Sequence, residues 1–309
     1  MYSAIDDIIP REMDPTVKDL MEKLNIVLDR FVDFGSNILK WDTEVKRVEA
    51  YNTPVIMSFR HFLELVDSIS VQVKQSSIDP CKLQLRAMLE TYFSLSYMLE
   101  TDTDKRGMAF LVWHLHKQIK DLTRTDEDSE MGKQLRAKLR KDRHTQSLVI
   151  PTDPNAQKKI AAIEALLQKP IYQEAEQEYQ RLRAAKEKDP AWYRFYEGPK
   201  NIVEMAEHLD YMGLYDVIYR RWSGPIHGTD VITGKASIAD DGSAEIYQIR
   251  FFGNVQEVAQ WALNLSLLMY EYYIDKRIPD KKKDYLDWYM TVREHYIRIT
   301  GKEPLINVT

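Results

Sequence analysis

Three times in the first part of the chain an acceptor side chain stands directly before a proline: Asp14-Pro15, Thr53-Pro54 and Asp79-Pro80. Proline holds φ near the helical value and lacks the N–H that a helix's first turn leaves unpaired anyway. A short polar side chain before it can accept one of the orphan amides that remain. Each pair therefore predicts a helix start. Read this way, helices run from Asp14-Pro15 to about Arg47, from Thr53-Pro54 to about Gln75, and from Asp79-Pro80 to about Glu100. A fourth opens at Asp104 and ends near Arg124. Leu, Met, Lys, Glu, Gln and Arg are frequent and glycine is scarce, 11 in 309 residues, a composition that favours helix.

From Thr125 to Lys188 the character changes. Large apolar residues thin out, Lys, Arg, Glu and Gln dominate, and Pro151, Pro154 and Pro170 interrupt. This predicts short, exposed helices that leave the core and return at Asp189-Pro190, where Trp192, Tyr193, Phe195 and Tyr196 restore aromatic content. Asn201 to Trp222 is helical again, with Gly213 placed to break it and Gly224-Pro225 to end it. Two β-rich runs, TDVITGKASIA and SAEIYQIRFF, flank Asp240-Asp241-Gly242 and predict a small β-hairpin near residues 229–252. Asn254 with Glu257 reads as a capping pair opening a long apolar helix to about Asp275, and a last helix begins near Asp280. The expected fold is mainly α: a multi-helix bundle with one small hairpin, forming a single large helical unit over 1–309. Within it lie N-terminal helices at 14–124, a charged helical excursion or arm at 125–190, and C-terminal helices with the hairpin at 191–309.

Hydrophobic residues make up 44% of the chain, enough for a sizeable core. The net charge of −5 and pI near 5.9 exclude a general nucleic-acid coat protein and leave room for a local basic patch. The single cysteine, Cys81, has no partner for an intramolecular disulfide or a Cys-based metal site, and fits a reducing compartment. The opening MYSAIDDIIPREMD lacks a cationic n-region and an apolar h-region, so no secretory signal is expected. The most apolar run, Val258–Ile274, carries Gln260, Asn264, Ser266 and Glu271 and reads as a core helix, not a membrane span. A cytoplasmic protein without a membrane partner is expected. His114 and His116 point to different faces of a helix. Glu204 and His208 share a face without an HExxH or Glu-x-x-His pair to support them. No P-loop, GxGxxG, GxSxG or CxxC occurs. No metal and no cofactor is expected.

Two constellations could carry chemistry. In LQLRAMLETYFSLSYML, Leu83–Leu99, the only charges are Arg86 and Glu90, four residues apart. Burying either alone is costly, so they should pair with each other or with a further group. Downstream, Tyr211, Tyr215, Tyr219, Ser223 and His227 form a ladder with a spacing of four, which keeps neighbours close on a helix. It runs into YRRWSGPIHG, where Gly224, Pro225 and Gly228 shape a loop. Arginine offers a fork of donors to phosphate oxygens, and histidine moves a proton near neutral pH. The candidate catalytic group is His227, Arg220, Arg221 and Ser223, supported by Arg86, Glu90, Tyr215 and Tyr219. A third feature, KQLRAKLRKDRH, repeats Lys133, Arg136, Arg140 and Arg143 at helical spacing. It reads as a solvated helix face or as a footprint for nucleic-acid phosphates.

Five residues separate Arg221 from His227, and six separate Arg220 from it, with a polar residue directly after Arg220. This resembles the Arg…His motif of HEPN domains, helical proteins of which many are metal-independent endoribonucleases. The resemblance implies His227 as general acid or base, Arg220 or Arg221 on the scissile phosphate, and Ser223 orienting either. It also implies a homodimer, RNA as partner, and a place among toxins or phage-defence effectors. A second resemblance spans about residues 55–275. LRAMLETYFSLSYML, followed by Tyr215-x3-Tyr219-x3-Ser223-x3-His227-Gly228, is similar to an uncharacterised family of bacterial all-helical proteins. It implies that Arg86, Glu90, Tyr219, Ser223 and His227 lie together in space, and it implies no activity. Two functions stand: a HEPN-like protein that binds or cleaves RNA, and a non-enzymatic helical binding or scaffold module with a buried Arg/Glu/Tyr/His polar network.

Overall fold

The computed structural model describes residues 8–10, 12–226, 232–233, 235–238, 242 and 244–305. In chain order its helices are α1 (Pro15–Glu44), α2 (Asn52–Lys74), α3 (Cys81–Glu100), α4 (Thr103–Thr125), α5 (Glu130–Lys141), α6 (Ala156–Leu167), α7 (Gln173–Ala184), α8 (Ile202–His208), α9 (Val255–Arg277) and α10 (Lys282–Thr300), with shorter turns between them. The fold is mainly α. Two three-residue strands, β1 (Ala236–Ile238) and β2 (Ala244–Ile246), pair antiparallel with Ser237 opposite Glu245. Within 229–252 these are the only strand residues among those described, and Tyr247–Phe252 is irregular.

The proline pairs mark helix starts, but only one works by the expected cap. Asp14 Oδ1 accepts from the amides of Thr16 (2.8 Å) and Val17 (3.2 Å), with Pro15 as first helical residue. Helix α2 begins at Asn52, one residue ahead of Thr53. The Asp79 carboxylate turns to the ammonium groups of Lys82 (2.8 Å) and Lys235 (3.0 Å). Ahead of α9, Asn254 makes no capping bond, and Glu257 is drawn away by Arg221. The break expected at Gly213 falls earlier. Asp210 adopts φ 62°, and the amides of Asp210 and Tyr211 bond back to Glu207 and Ala206. That is a Schellman-type helix end with aspartate in the left-handed position. Gly213 lies within the turn Met212–Leu214.

The chain forms two compact units: Met1–Val48 with Val55–Glu100 and Ile202–Thr309, and Glu49–Pro54 with Thr101–Asn201. In the first, α9 packs against α1, α3 and α10. Its buried face carries Val258, Ala262, Leu265, Met269, Tyr270 and Tyr273 among others, while Leu268, Glu271, Asp275 and Lys276 stay exposed. Phe34 of α1 stacks on Trp288 of α10 at 4.1 Å, and the Tyr270 hydroxyl donates to the Phe31 carbonyl at 2.8 Å. Gly35 permits this approach, because a Cβ there would meet Leu63 and the Tyr270 hydroxyl. No described helix is long and apolar enough to cross a membrane. Cys81 is fully buried, and burial pushes its thiol up to about 12, so it stays protonated.

In the second unit α4 is the spine, packing against α5, α6, α7 and the turn Trp192–Glu197. Its core is Met108, Ala109, Val112, Leu167, Ala175, Leu182 and Phe195. This unit thus takes in α4 as well as the charged 125–190 segment, because Met108 and Val112 supply apolar surface that the shorter helices lack.

One buried charge ties the first unit together. Asp42, near the end of α1, is fully enclosed. Its Oδ2 accepts from the Tyr273 hydroxyl (2.6 Å) and from Arg277 Nη2 (3.0 Å), and its Oδ1 pairs with Arg47, which also reaches the Arg277 carbonyl. Removing one partner of a buried pair costs about 3–5 kcal/mol, because the other charge stays enclosed and unpaired. We expect Asp42→Ala to lower unfolding stability by that much in urea titrations. Tyr273→Phe should cost about 1–3 kcal/mol. Unchanged midpoints for both would show the cluster contributes nothing.

Candidate functional site around Arg86

Arg86 lies on α3, a helix otherwise committed to the core. Only 13% of its side chain is exposed, against 44% for Glu90. A guanidinium so placed needs partners. Its Nε donates to Glu90 Oε1 at 3.0 Å, and its Nη1 donates to Ser223 Oγ at 3.4 Å. The guanidinium carbon sits 3.9 Å from the centre of the Tyr219 ring, within cation–π range. Arg86, Glu90, Tyr219 and Ser223 are therefore brought together. His227, the fifth member of that expected group, lies outside the described residues.

The segment that delivers Tyr219 and Ser223 is not plain α-helix. Tyr215–Arg220 is a π-helical turn. Its i→i+5 bonding widens the turn, so residues four apart come nearly into line. The rings of Tyr215 and Tyr219 accordingly stack, centroids 4.8 Å apart and planes 19° from parallel. Ile218 and Trp222 anchor the same segment in the core. Helical geometry resumes at Ser223–Ile226, with Gly224-Pro225 inside this turn. The Gly-Pro pair thus does not end the helical path as expected, because proline fits a first turn without losing a hydrogen bond. Tyr211, at the base of the ladder, belongs to helix packing. It stacks on Tyr92 at 5.3 Å, their hydroxyls 3.2 Å apart, and burial raises the Tyr92 phenol above its usual range.

Arg220 and Arg221, one of which the HEPN resemblance placed on a phosphate, each pair with a carboxylate. Arg220 pairs with Asp216 at 3.1 Å and lies 5.8 Å from the Tyr215 ring centre. Arg221 pairs with Glu257 at 2.7 Å. Both are exposed. The Asp216–Arg220 pair was readable as an i,i+4 contact, whereas Glu257 carried a capping signal that concealed its partner. Of the basic stretch, Lys133, Arg140 and Arg143 are exposed. Arg136 differs: it donates to the carbonyl of Thr125 (3.0 Å) and to Thr152 Oγ1 (3.3 Å), so its donors brace the loops beside α5. His208 pairs with Glu100 at 2.8 Å. Among the described residues no cluster of His, Cys, Asp and Glu is arranged to hold a metal.

The unequal burial of the Arg86–Glu90 pair sets its energetics. Arg86→Ala deletes a sequestered charge, its ring contact and the Ser223 bond together, and should cost about 2–3 kcal/mol. Glu90→Ala removes a half-exposed partner and should cost under about 1 kcal/mol. Chemical denaturation of the two variants side by side checks this, and equal losses would contradict the geometry.

A family model described as "Family of unknown function (DUF5677)" matches residues 52–244, a span that holds Arg86, Glu90, Tyr219 and Ser223. No curated protein and no solved structure matches the chain.

Proposed function

We propose that this chain, which belongs to the DUF5677 family of unknown function, binds RNA and works on its phosphate at the Arg86 centre. The observation that carries the reading is Arg86 reaching Ser223, four residues ahead of His227, from a helix far off in sequence. A phosphate is best held by a planar fork of N–H donors whose orientation is fixed before the ligand arrives. Tyr219 fixes the plane of the Arg86 guanidinium and Glu90 its roll. Arg86 then takes the phosphate-holding part that the HEPN resemblance gave to Arg220 or Arg221. Ser223 supplies a hydroxyl beside it, and His227 is the general acid or base.

Arg220 and Arg221 keep a secondary part. Their ion pairs are exposed, and exposed pairs are worth under about 1 kcal/mol, so a polyanion can draw either away. Lys133, Arg140 and Arg143 add a non-specific electrostatic pull. By analogy with HEPN ribonucleases, two copies of the chain assemble the working site, and the biological role is that of a toxin or defence effector.

The rival reading is a non-enzymatic binding module in which the same residues form a structural network. The observation favouring it is Glu90, which already offsets the Arg86 charge. His227→Ala separates the two. In the ribonuclease reading the wild type cleaves a labelled single-stranded RNA without added metal, and His227→Ala abolishes cleavage at an unchanged melting temperature. In the network reading the wild type leaves RNA intact, and the variant loses about 1–3 kcal/mol of stability through partners left unsatisfied. Intact RNA together with a destabilised variant would falsify the proposal.

A further inference from the structure

A cleft of about 730 Å³ opens in the second unit between α4, α7 and the segment from Lys188 to Ala191. Four cations line it, Lys117, Lys120, Arg183 and Lys188, against one carboxylate, Asp189. Asp189 is held by Lys120, 2.8 Å from each oxygen. Arg183 donates to the carbonyls of Glu187 (3.3 Å) and Lys188, which sets the shape of the rim. Lys117 stands 5.2 Å from the Trp113 ring centre. In a chain of net charge −5 this is a local excess of positive charge around a concavity, and it favours an anion.

A stacked polar assembly forms one wall. The His116 ring lies flat on Tyr179, centroids 3.7 Å apart and planes within 8°. His116 Nε2 is 2.7 Å from Glu176 Oε2, and Gln180 Nε2 donates to the other carboxylate oxygen at 2.7 Å. His116 and Glu176 are 16% and 13% exposed. An ionised carboxylate only accepts, so the His116 Nε2–H donates to Glu176 Oε2. Trp113 and Tyr179 add aromatic surface to the lining.

We infer that this cleft binds a nucleotide, with its phosphates on Lys117, Arg183 and Lys188 and its base against Trp113 and Tyr179. The volume lies within the range of small-ligand sites. Cations alone would suit any phosphate. The aromatic wall is what selects a ligand that also carries a flat ring, since every base has a π face to stack. None of these residues belongs to the Arg86 centre, so loss of nucleotide binding leaves the RNA proposal to be judged on cleavage alone.

The test is a calorimetric titration of the full chain with ATP, AMP, inorganic tripolyphosphate and a short oligoadenylate. We expect saturable binding of ATP and AMP, with tripolyphosphate at least about ten-fold weaker than ATP because stacking is lost. The double variant Lys117→Ala/Lys188→Ala alters two exposed side chains and should weaken ATP binding on the order of ten-fold or more at an unchanged melting temperature. Three outcomes would overturn the inference: no saturable binding of either mononucleotide, tripolyphosphate binding as tightly as ATP, or oligoadenylate binding while mononucleotides do not.

Discussion

Helix α9 presents a continuous apolar face through Val258, Ala262, Leu265, Met269, Tyr270 and Tyr273, and the first unit is arranged to cover it. α1, α3 and α10 pack around it, and Tyr270 and Tyr273 fill the space against Phe31, Phe34 and Phe59. Hydrophobic burial of this kind is strong but non-directional. The Asp42 cluster adds direction. Tyr273 and Arg277 at the end of α9 close on Asp42 at the end of α1, and Arg47 binds both the Asp42 carboxylate and the Arg277 carbonyl. A displaced register would leave a fully buried carboxylate without its cations, a cost that apolar packing does not impose.

The functional site follows from that commitment. Because α3 gives most of its surface to the core, a cation on it has few places to go. Arg86 is answered by Glu90 on its own helix and by Tyr219 and Ser223 from a segment distant in sequence. The π-helical turn matters here. It aligns Tyr215 behind Tyr219, so the ring under the guanidinium is itself supported from behind. A guanidinium held on three sides loses little further freedom when it meets a ligand, which is the energetic benefit of preorganisation.

Much of the helical framework was legible because its signals are local. Proline after an acceptor, apolar periodicity and glycine scarcity each act within a few residues, and α1, α3 and α9 lie close to where those signals put them. Mechanisms at the helix ends were less legible, since a carboxylate chooses between amides and nearby cations. Asp79 took Lys82 and Lys235, and Glu257 took Arg221. The Arg86 constellation was visible only through a resemblance, as nothing local links Arg86 to Ser223. His116 and Glu176 illustrate the limit further. His116 was weighed against His114, its neighbour in sequence, while its actual partner sits on α7.

The account stands on Arg86 meeting an RNA phosphate. The most direct measurement is a titration of a short single-stranded RNA into protein labelled with ¹⁵N-arginine, following the Arg86 Nε–H resonance identified by its loss in Arg86→Lys. The account predicts a saturable shift of that resonance that weakens as salt is raised. Saturable RNA binding that shifts other arginine resonances and leaves the Arg86 signal in place would contradict it.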